Sequence, residues 1–476
     1  MAKISQATNS KEEMNVFRPS VARAVSGVLD RSLFAKTVPL AAAIISENKL
    51  ISRYRKDLEK SKEILSAERI SAIAPHPDRT LASQGKKCLL LNPGVKPTAR
   101  ETWGAVLKEG VDKSELEVIP YNLNLDYEYF SALDVLSVVL PPELHDEIPS
   151  GFNVAGHVAH LNLREAYLPY KNLIGEVIVD KNTHIRTVIN KVDNVGSESE
   201  FRTFAYEVLA GPDDLDVEVR ENDCSFHFDY SKVYWNSKLE GEHTRLIRSF
   251  QPGEVVCDVM AGIGPFAVPA GKRGVFVWAN DMNPESYRYL QEAIQRNKVA
   301  TYVRPFNEDG RTFIHKAVDS VYAASQAGDH ALIQVKVPRH LRDAAAGTAA
   351  ARPPPQKIPV PPTISHFVMN LPAMAYTFVH HFRGLYAGHE ELFAPSTEAK
   401  LPLVHVHCFA LKSDDEVPLL DICERLTNEL GVKMIPGDAE KQGEVSIYNV
   451  RDVAPAKRMW CASFRVPREV AFAARG

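Results

Sequence analysis

The chain has 476 residues, which is enough for about three domains and a large hydrophobic core. Its 45% hydrophobic and 24% charged residues are ordinary for a soluble globular protein, and its net charge of −4 excludes a global attraction for nucleic acid. Six cysteines without a Cys-x-x-Cys pair argue against structural zinc and against a disulfide framework. No apolar run approaches the roughly 20 residues of a membrane span, so we expect neither a metal site nor a membrane-bound protein.

The amino-terminal region is basic. Residues 18–62 contain more Lys and Arg than Asp and Glu, and residues 46–65 predict an exposed helix whose charges we interpret as a solvated face. Residues 21–34 contain arginines and could form an amphipathic targeting helix, so we expect a mitochondrial matrix pool beside the cytoplasmic and nuclear ones. The next segment predicts a small mixed unit, with strands at 88–91 and 118–121 and helices at 98–108 and 127–139.

The middle of the chain predicts a second mixed unit. Its strands are expected at 175–179, 187–192 and 201–209, before a turn at 211–214. Three histidines, His157, His160 and His184, lack an accompanying cluster of Cys or carboxylate residues. This lack disfavours a metal site among them.

A glycine-rich turn between a strand and a helix is the centre of the carboxyl-terminal half. The apolar run 255–257 predicts a buried parallel strand that ends at Asp258, and the chain then turns through Gly262 and Gly264 before a helix begins. A second strand at 275–279 is followed by Asp281, which is placed to bind ribose hydroxyls. Because the chain lacks a Gly-x-x-x-x-Gly-Lys-Ser/Thr sequence, the pattern favours a nucleoside without a phosphate chain, and S-adenosylmethionine fits that description.

Strands and helices continue to alternate towards the carboxyl terminus. Asn283 and Pro284 predict the start of a helix. Later elements are strands at 301–306, 365–369 and 403–410, a helix at 417–430 with a capping box at 413–416 and Gly431 at its end, and a hairpin of 445–450 and 459–466. This alternation predicts an α/β fold with a doubly wound parallel sheet and an antiparallel edge. A flexible Ala- and Pro-rich insertion is expected at 343–362.

Polar or flexible residues follow four of the predicted parallel strands. They are Asp258, Asp281, Asp309 with Gly310, and Asn370. Because ligands bind at the carboxyl ends of parallel strands, we expect these residues to share one site. Pro372 fixes the turn after Asn370, so the side-chain amide of Asn370 is expected to face a flat nitrogenous base. Methyl transfer to nitrogen is an in-line displacement that depends mainly on such positioning.

Four stretches of this half resemble the tRNA (guanine-37-N1)-methyltransferases of the archaeal and eukaryotic type, a family of class I S-adenosylmethionine-dependent enzymes. The stretches are residues 229–243, 258–270, 280–286 and 370–373, and residues 201–211 also resemble the family. The likeness extends over roughly residues 85–466. It implies transfer of a methyl group from S-adenosylmethionine to N1 of guanine-37, the base beside the anticodon of tRNA.

The resemblance also implies a domain organisation. An amino-terminal extension and a small α+β tRNA-recognition domain are expected in residues 1–140, and a middle α+β domain is expected in residues 145–222. A Rossmann-like methyltransferase domain with a seven-stranded, mostly parallel sheet is expected in residues 223–476. The implied enzyme is a monomer that recognises the folded tRNA as well as its anticodon loop.

The resemblance assigns roles to individual residues. It places a general base at Glu242 and a stabilising cation at Arg202. The chemistry supports both, because guanine N1 loses a proton while negative charge builds on O6. Asn370 is a third expected catalytic residue, and Tyr234 and Pro372 are expected to bind the substrate base. The expected cofactor-binding residues are His243, Asp258, Gly262, Gly264, Asp281, Met282, Asp309, Gly310 and Asn370.

Three other functions are alternatives to this one. A related family transfers the aminocarboxypropyl group of S-adenosylmethionine to a modified tRNA base and needs no base such as Glu242 at N1. A non-catalytic tRNA-binding module is disfavoured by the intact Asp258, Asp281 and Asn370. A dinucleotide-dependent dehydrogenase is disfavoured because the residues after Gly264 depart from the Gly-x-Gly-x-x-Gly spacing.

Overall fold

The computed structural model describes residues 16–20, 28–192, 201, 203–333, 355–393 and 399–475. The chain divides into two compact units. The first consists of Met1–Phe152, Leu161–Asn190 and Val208–Pro212, and the second of Asn153–His160, Lys191–Glu207 and Asp213–Gly476. The expected division into three domains stays a prediction. Among the described residues, none of the helices has the length and apolar character needed to cross a bilayer.

A four-stranded antiparallel sheet forms the core of the first unit. Its strands are β1 (Lys36–Ile45), β2 (Ile73–Pro75), β3 (Lys87–Leu90) and β4 (Leu116–Leu125), in the order β2-β3-β1-β4. The helix Ile51–Lys60 packs against this sheet through Tyr54 and Leu58, which are buried. The helix is therefore shorter than the one predicted at 46–65. Its charged residues form a solvated face, as expected, and Tyr54 and Leu58 form a buried face opposite.

The strand predicted at 175–179 is wrong, because these residues lie in the helix Lys171–Lys181. The buried residues of this helix are Leu173, Ile174, Gly175, Val177 and Ile178, which is the spacing of one helical face. Gly175 allows close packing, since a Cβ atom there would lie 2.7 Å from the Cβ atom of Leu209. A short apolar run within a longer helical pattern is ambiguous, and the burial of the whole face decides it.

The remaining elements of the amino-terminal half are short. The helices are Arg79–Ser83, Ala105–Asp112 and Ala132–Val139, and short 3-10 helices occur at Arg31–Phe34, Asn48–Leu50, Arg100–Thr102, Tyr127–Tyr129, Pro142–Glu147 and Glu165–Tyr170. The strands are β5 (Asn153–Ala155), β6 (Val158–Leu161), β7 (Thr187–Lys191) and β8 (Tyr206–Ala210), of which β5 and β6 form an antiparallel pair. The strand predicted at 201–209 thus begins only at Tyr206.

An eight-stranded sheet organises the second unit. Its strands are β11 (Val255–Asp258), β12 (Phe276–Asn280), β13 (Val303–Phe306), β16 (His366–Met369), β17 (Leu403–Leu411), β18 (Ile435–Pro436), β19 (Glu444–Ala454) and β20 (Lys457–Arg465), in the order β13-β12-β11-β16-β17-β20-β19-β18. The first five strands in this order are parallel neighbours, and β20 is antiparallel to both β17 and β19. The predicted parallel sheet with an antiparallel edge is confirmed. The sheet has eight strands, one more than the seven expected, because the two-residue strand β18 pairs with β19 at its edge.

Helices cover both faces of this sheet. They are Glu240–Ser249, Ala267–Lys272, Pro284–Arg296, Gly310–Gln326, Val417–Leu430 and Arg468–Ala471, with 3-10 helices at Ser237–Leu239, Ala375–Phe382 and Glu390–Phe393. The predicted cap at Asn283 is confirmed, since its Oδ1 atom accepts from the Glu285 N–H at 3.0 Å. The predicted capping box is wrong: Asp415 Oδ1 accepts from the Val417 N–H at 3.0 Å instead. Gly431 ends that helix at φ +71°, as expected.

Two antiparallel hairpins accompany the sheet. The strands β9 (Asp216–Glu221) and β10 (Cys224–Asp229) form one of them. The strands β14 (His330–Ile333) and β15 (Gln356–Pro359) form the other. The second hairpin corrects the expectation of a wholly flexible insertion at 343–362, because the last part of that segment pairs with a strand. Residues 343–354 lie outside the described part of the chain.

Candidate active site

Four strand ends meet at one edge of the large sheet. Because β13, β12, β11 and β16 are parallel neighbours, their carboxyl ends lie side by side. The loops that follow enclose a cavity of about 340 Å³, whose wall includes Gly262, Asp281, Gly310 and Asn370. The predicted meeting of the four strand ends is confirmed by this topology, although Asp258 itself does not line the cavity. The volume lies in the usual range for a small-molecule site.

The structure sorts the expected site residues into two groups. Those that line the cavity are Tyr234, His243, Gly262, Asp281, Met282, Asp309, Gly310 and Asn370. Those that do not line it are Glu242, Asp258, Gly264 and Pro372. Arg202 lies outside the described residues. The functional roles of all these residues stay predictions.

Asp281 ties the glycine turn to the next strand. Its Oδ2 atom accepts from the backbone N–H of Gly262 at 2.8 Å, and its Oδ1 atom accepts from the N–H of Asn283 at 2.9 Å. Gly262 has φ +56°, a conformation that favours glycine. Burial raises the pKa of the Asp281 carboxyl, although these two amides favour its charged form. The carboxylate therefore shapes the cavity as well as presenting acceptors to it.

A fully buried asparagine, which the sequence analysis did not assign to the site, joins the loops around the cavity. The Asn280 amide donates to the carbonyl oxygens of Val259 at 3.1 Å and Glu308 at 2.9 Å. Its Oδ1 atom accepts from the Glu308 N–H at 2.9 Å. An asparagine can make these opposed contacts because its amide both donates and accepts. The position of Asn280 at the end of a buried strand was the sequence feature that could have indicated this role.

The loop after β16 supplies wall residues that were also missed. Met374 and Phe378 line the cavity from the 3-10 helix Ala375–Phe382, of which Met374 is the N-cap residue. Arg311 lies on the same wall, its guanidinium 4.5 Å from the Phe378 ring centroid and 3.1 Å from the Asp309 carboxylate. Pro372 is buried behind this wall, where its carbonyl accepts from the Phe409 N–H at 3.0 Å. Leu371 occupies the wall position expected for Pro372.

Asp258 and Gly264 support the wall from behind. Asp258 is completely buried, and burial together with the nearby Asp281 charge raises the pKa of its carboxyl to about 8. Its oxygens have no hydrogen-bond partner of ordinary geometry in the described chain, although the Met260 amide favours the charged form. Gly264 has φ +95°, and a Cβ atom there would lie 2.7 Å from Leu290 Cδ1. Both residues therefore act on the cavity through the fold.

Glu242 and His243 point to different places from the same helix. His243 lies on the cavity wall, where its Nδ1 atom shares a hydrogen bond with Glu221. Its ring forms a T-shaped contact with Phe266, with the two ring centroids 4.7 Å apart. The Glu242 side chain is 1% exposed and turns towards the sheet. Its carboxylate contacts His407 Nε2 at 2.7 Å and Arg245 Nε at 2.7 Å. Glu242, the predicted general base, thus lies behind the cavity wall and not on it.

The cavity combines apolar walls with a few polar groups. Two carboxylates, Asp281 and Asp309, and the amide of Asn370 face a space lined largely by apolar side chains. Among the described lining residues the only Lys or Arg is Arg311, which is already paired with Asp309. This chemistry suits a nucleoside with free hydroxyls and does not suit a phosphate chain. The sheet and this cavity together define a Rossmann-like enzyme that binds a nucleoside-type cofactor.

Comparison with known proteins narrows this class. Residues 217–343 match the TRM5/TYW2 methyltransferase domain, and residues 133–214 match the TYW2 N-terminal domain. The tRNA (guanine(37)-N(1))-methyltransferase of Neurospora crassa is 65% identical over 98% of this chain and 96% of its own length. The enzyme of the same name from Schizosaccharomyces pombe is 44% identical over 94% of this chain and 95% of its own. The chain belongs to the family of tRNA (guanine(37)-N(1))-methyltransferases.

Two solved structures share the fold. Wild-type Trm5b from Pyrococcus abyssi has a TM-score of 0.56 and 21% identity, and aTrm5 in its complex with tRNALeu has a TM-score of 0.57 and 18% identity. Each comparison covers 90% of this chain and 99% of the other. At this identity the likeness concerns the fold alone.

Proposed function

We propose that this chain transfers a methyl group from S-adenosylmethionine to N1 of guanine-37 in tRNA. The observation that carries the proposal is the convergence of Gly262, Asp281, Gly310 and Asn370 on one cavity. The chain that builds this cavity is 65% identical, over nearly its whole length, to a tRNA (guanine(37)-N(1))-methyltransferase. Tight apolar walls and two carboxylates provide what a sulfonium nucleoside requires.

The cavity residues divide the binding of the donor among them. Asp281 offers carboxylate oxygens to ribose hydroxyls, and the backbone around Gly262 allows close approach because no Cβ atom intervenes. Met282 and Phe378 provide apolar surface for an adenine ring. When bound, S-adenosylmethionine supplies an electrophilic methyl carbon whose bond to sulfur breaks as its bond to guanine N1 forms. The residues present fit this group.

The chain's own residues handle the base and its proton. Asn370 holds the purine edge at the end of β16, and Tyr234, which is 40% exposed at the rim, stacks on the base. Glu242 takes the proton that leaves guanine N1. Burial opposes the charged carboxylate, but hydrogen bonds from Arg245 and His407 lower the pKa of Glu242 to about 2. Arg202 stabilises negative charge on O6 in this proposal, which rests for that residue on the family resemblance.

Nucleoside mass spectrometry tests the proposed reaction. The full chain is incubated with S-adenosylmethionine and an unmodified tRNA transcript that carries guanine-37, and a matched transcript with adenine-37 is the control. A gain of one methyl group on guanosine, found only in the first transcript, is the expected result. Absence of methylated guanosine would reject the proposed reaction, and a larger adduct on a tRNA that already carries the modified base would indicate aminocarboxypropyl transfer.

The partner and compartment complete the proposal. The first unit recognises the body of the tRNA, so a full-length transcript should be methylated with a lower KM than an isolated anticodon stem-loop. The enzyme acts as a monomer, which analytical ultracentrifugation with and without tRNA would test. It is distributed over cytoplasm and nucleus with a mitochondrial matrix pool, which fractionation of cells would test.

A further inference from the structure

Glu242 belongs to a buried polar cluster that joins one helix to two strands. In the helix Glu240–Ser249, Glu242 and Leu246 lie four residues apart on the face that is buried. Across from this face, His407 of β17 pairs in register with Cys461 of β20. His407 and Cys461 are both 0% exposed, so the polar groups of this cluster are removed from water.

Three hydrogen bonds converge on the Glu242 carboxylate. His407 Nε2 lies 2.7 Å from Oε1, and because an ionised carboxylate only accepts, Nε2 carries the proton. Arg245 donates from Nε to Oε2 and from Nη2 to Oε1, both at 2.7 Å. A carboxylate that is 1% exposed stays charged only when such donors replace its water.

The cluster is not built for a metal ion. One ligand atom each from Glu242, His407 and Cys461 lies within 4.8 Å of the others, a spacing that suits a cation. However, the Arg245 guanidinium already occupies both oxygens of Glu242 and would repel a second positive charge. The arrangement therefore suits a charged carboxylate better than a metal ion.

His407 fixes the position of the Glu242 carboxylate more firmly than Arg245 does. The Arg245 side chain is 32% exposed and its guanidinium also lies 4.2 Å from the ring centroid of Tyr448, whereas His407 is fixed by the strand on which it lies. The other groups that act on Glu242 or His407 are Cys461, His405 and Asp258. Among the described residues of the sheet, His407 makes the hydrogen bond that anchors the Glu242 carboxylate to it.

We propose that His407 is a positioning residue for methyl transfer, which holds the Glu242 carboxylate ionised and fixed directly behind the cavity wall. This inference rests on the proposed function, in which Glu242 accepts the guanine N1 proton. His407 does not line the cavity, so it acts on the reaction through Glu242 and touches neither the donor nor the base.

A pair of amide variants tests the inference. In His407→Gln the amide reaches about as far as Nε2 and keeps the donor, whereas in His407→Asn the amide is too short. The ionised form of Glu242 is needed for catalysis and exists above its pKa. Loss of the His407 hydrogen bond raises that pKa, so the acid limb of the pH–rate profile moves to higher pH.

The single-turnover methylation rate is measured from pH 4 to pH 8.5. Loss of the His407 hydrogen bond raises the pKa of Glu242 from about 2 but leaves it well below 6, because Arg245 still donates to both oxygens. We therefore expect His407→Asn to be about tenfold slower than the parent from pH 6 to pH 8.5, because the carboxylate is no longer held in place, and slower still relative to the parent at pH 4, where part of the carboxyl is protonated. His407→Gln should remain within about threefold of the parent throughout. The dissociation constant of S-adenosylmethionine should be unchanged in both variants.

The control variant is His405→Leu. His405 lies two residues earlier on β17, is 5% exposed, and bonds to His366 at 3.1 Å and Ser463 at 2.8 Å, with no hydrogen bond to Glu242. It should leave the acid limb in place, because burial holds the pKa of His405 well below its usual range, so the ring is neutral and places no charge beside Glu242. The inference is overturned if the Asn and Gln variants share one profile, if His405→Leu moves the limb as far, or if either variant accelerates the reaction. If the parent chain forms no methylguanosine, the proposed function itself fails.

Discussion

Replacement of Asp281 by alanine separates its two contributions, to the fold and to donor binding. The change removes acceptors from the N–H groups of Gly262 and Asn283. An unsatisfied buried amide costs about 1–3 kcal/mol. Because both contacts are only part-buried, water replaces some of the loss, and we expect the free energy of unfolding to fall by about 1–3 kcal/mol in total.

Donor binding should suffer separately. A hydrogen bond to a charged group contributes about 1.5–3 kcal/mol, so the dissociation constant of S-adenosylmethionine should rise by about ten- to 150-fold. Asp281→Asn keeps one oxygen and should be intermediate in both quantities. The control is Glu285→Gln, which removes a carboxylate from an exposed ion pair with Arg288 at 2.6 Å and should change either quantity by less than about 1 kcal/mol.

Isothermal titration calorimetry and urea unfolding measure the two effects. The reasoning is refuted if Asp281→Ala binds the donor as tightly as the parent chain. It is equally refuted if the free energy of unfolding is unchanged, because the carboxylate would then not hold the glycine turn.

Three further changes follow from the same structure. Glu242→Gln should lower the single-turnover methylation rate by about 100-fold or more while donor affinity is retained, and an unchanged rate would remove its assignment as the base. Gly264→Ala should reduce the free energy of unfolding in urea more than Gly262→Ala. Both residues have positive φ, but only at Gly264 would a new Cβ atom lie 2.7 Å from a leucine methyl carbon. Equal losses would show that packing at this turn is loose. Deletion of residues 343–362 should lower the melting temperature, since it removes one strand of a hairpin, and an unaltered melting temperature would contradict that pairing.

Much of the methyltransferase half follows from local patterns. Short β-branched runs, the glycines of the turn after β11 and the Asn283-Pro284 helix start each favour one conformation with little help from distant residues. Because these patterns alternate, the parallel sheet and the meeting of its strand ends could be predicted. The helix Lys171–Lys181 was misread because the run 175–179 with its three β-branched residues also suits a strand, and only the burial of a helical face distinguishes the two.

Only the tertiary structure decided which way the site residues face. Glu242 and His243 are neighbours in sequence, yet one turns to the sheet and the other to the cavity. The partner that fixes Glu242 is His407, 165 residues further along the chain, and no local pattern brings the two together. The sequence by itself determined the order along the chain of the parallel strands in the large sheet and the residues at their ends. Charge and burial at the site depend on contacts between distant segments, so they were decided only when the chain folded.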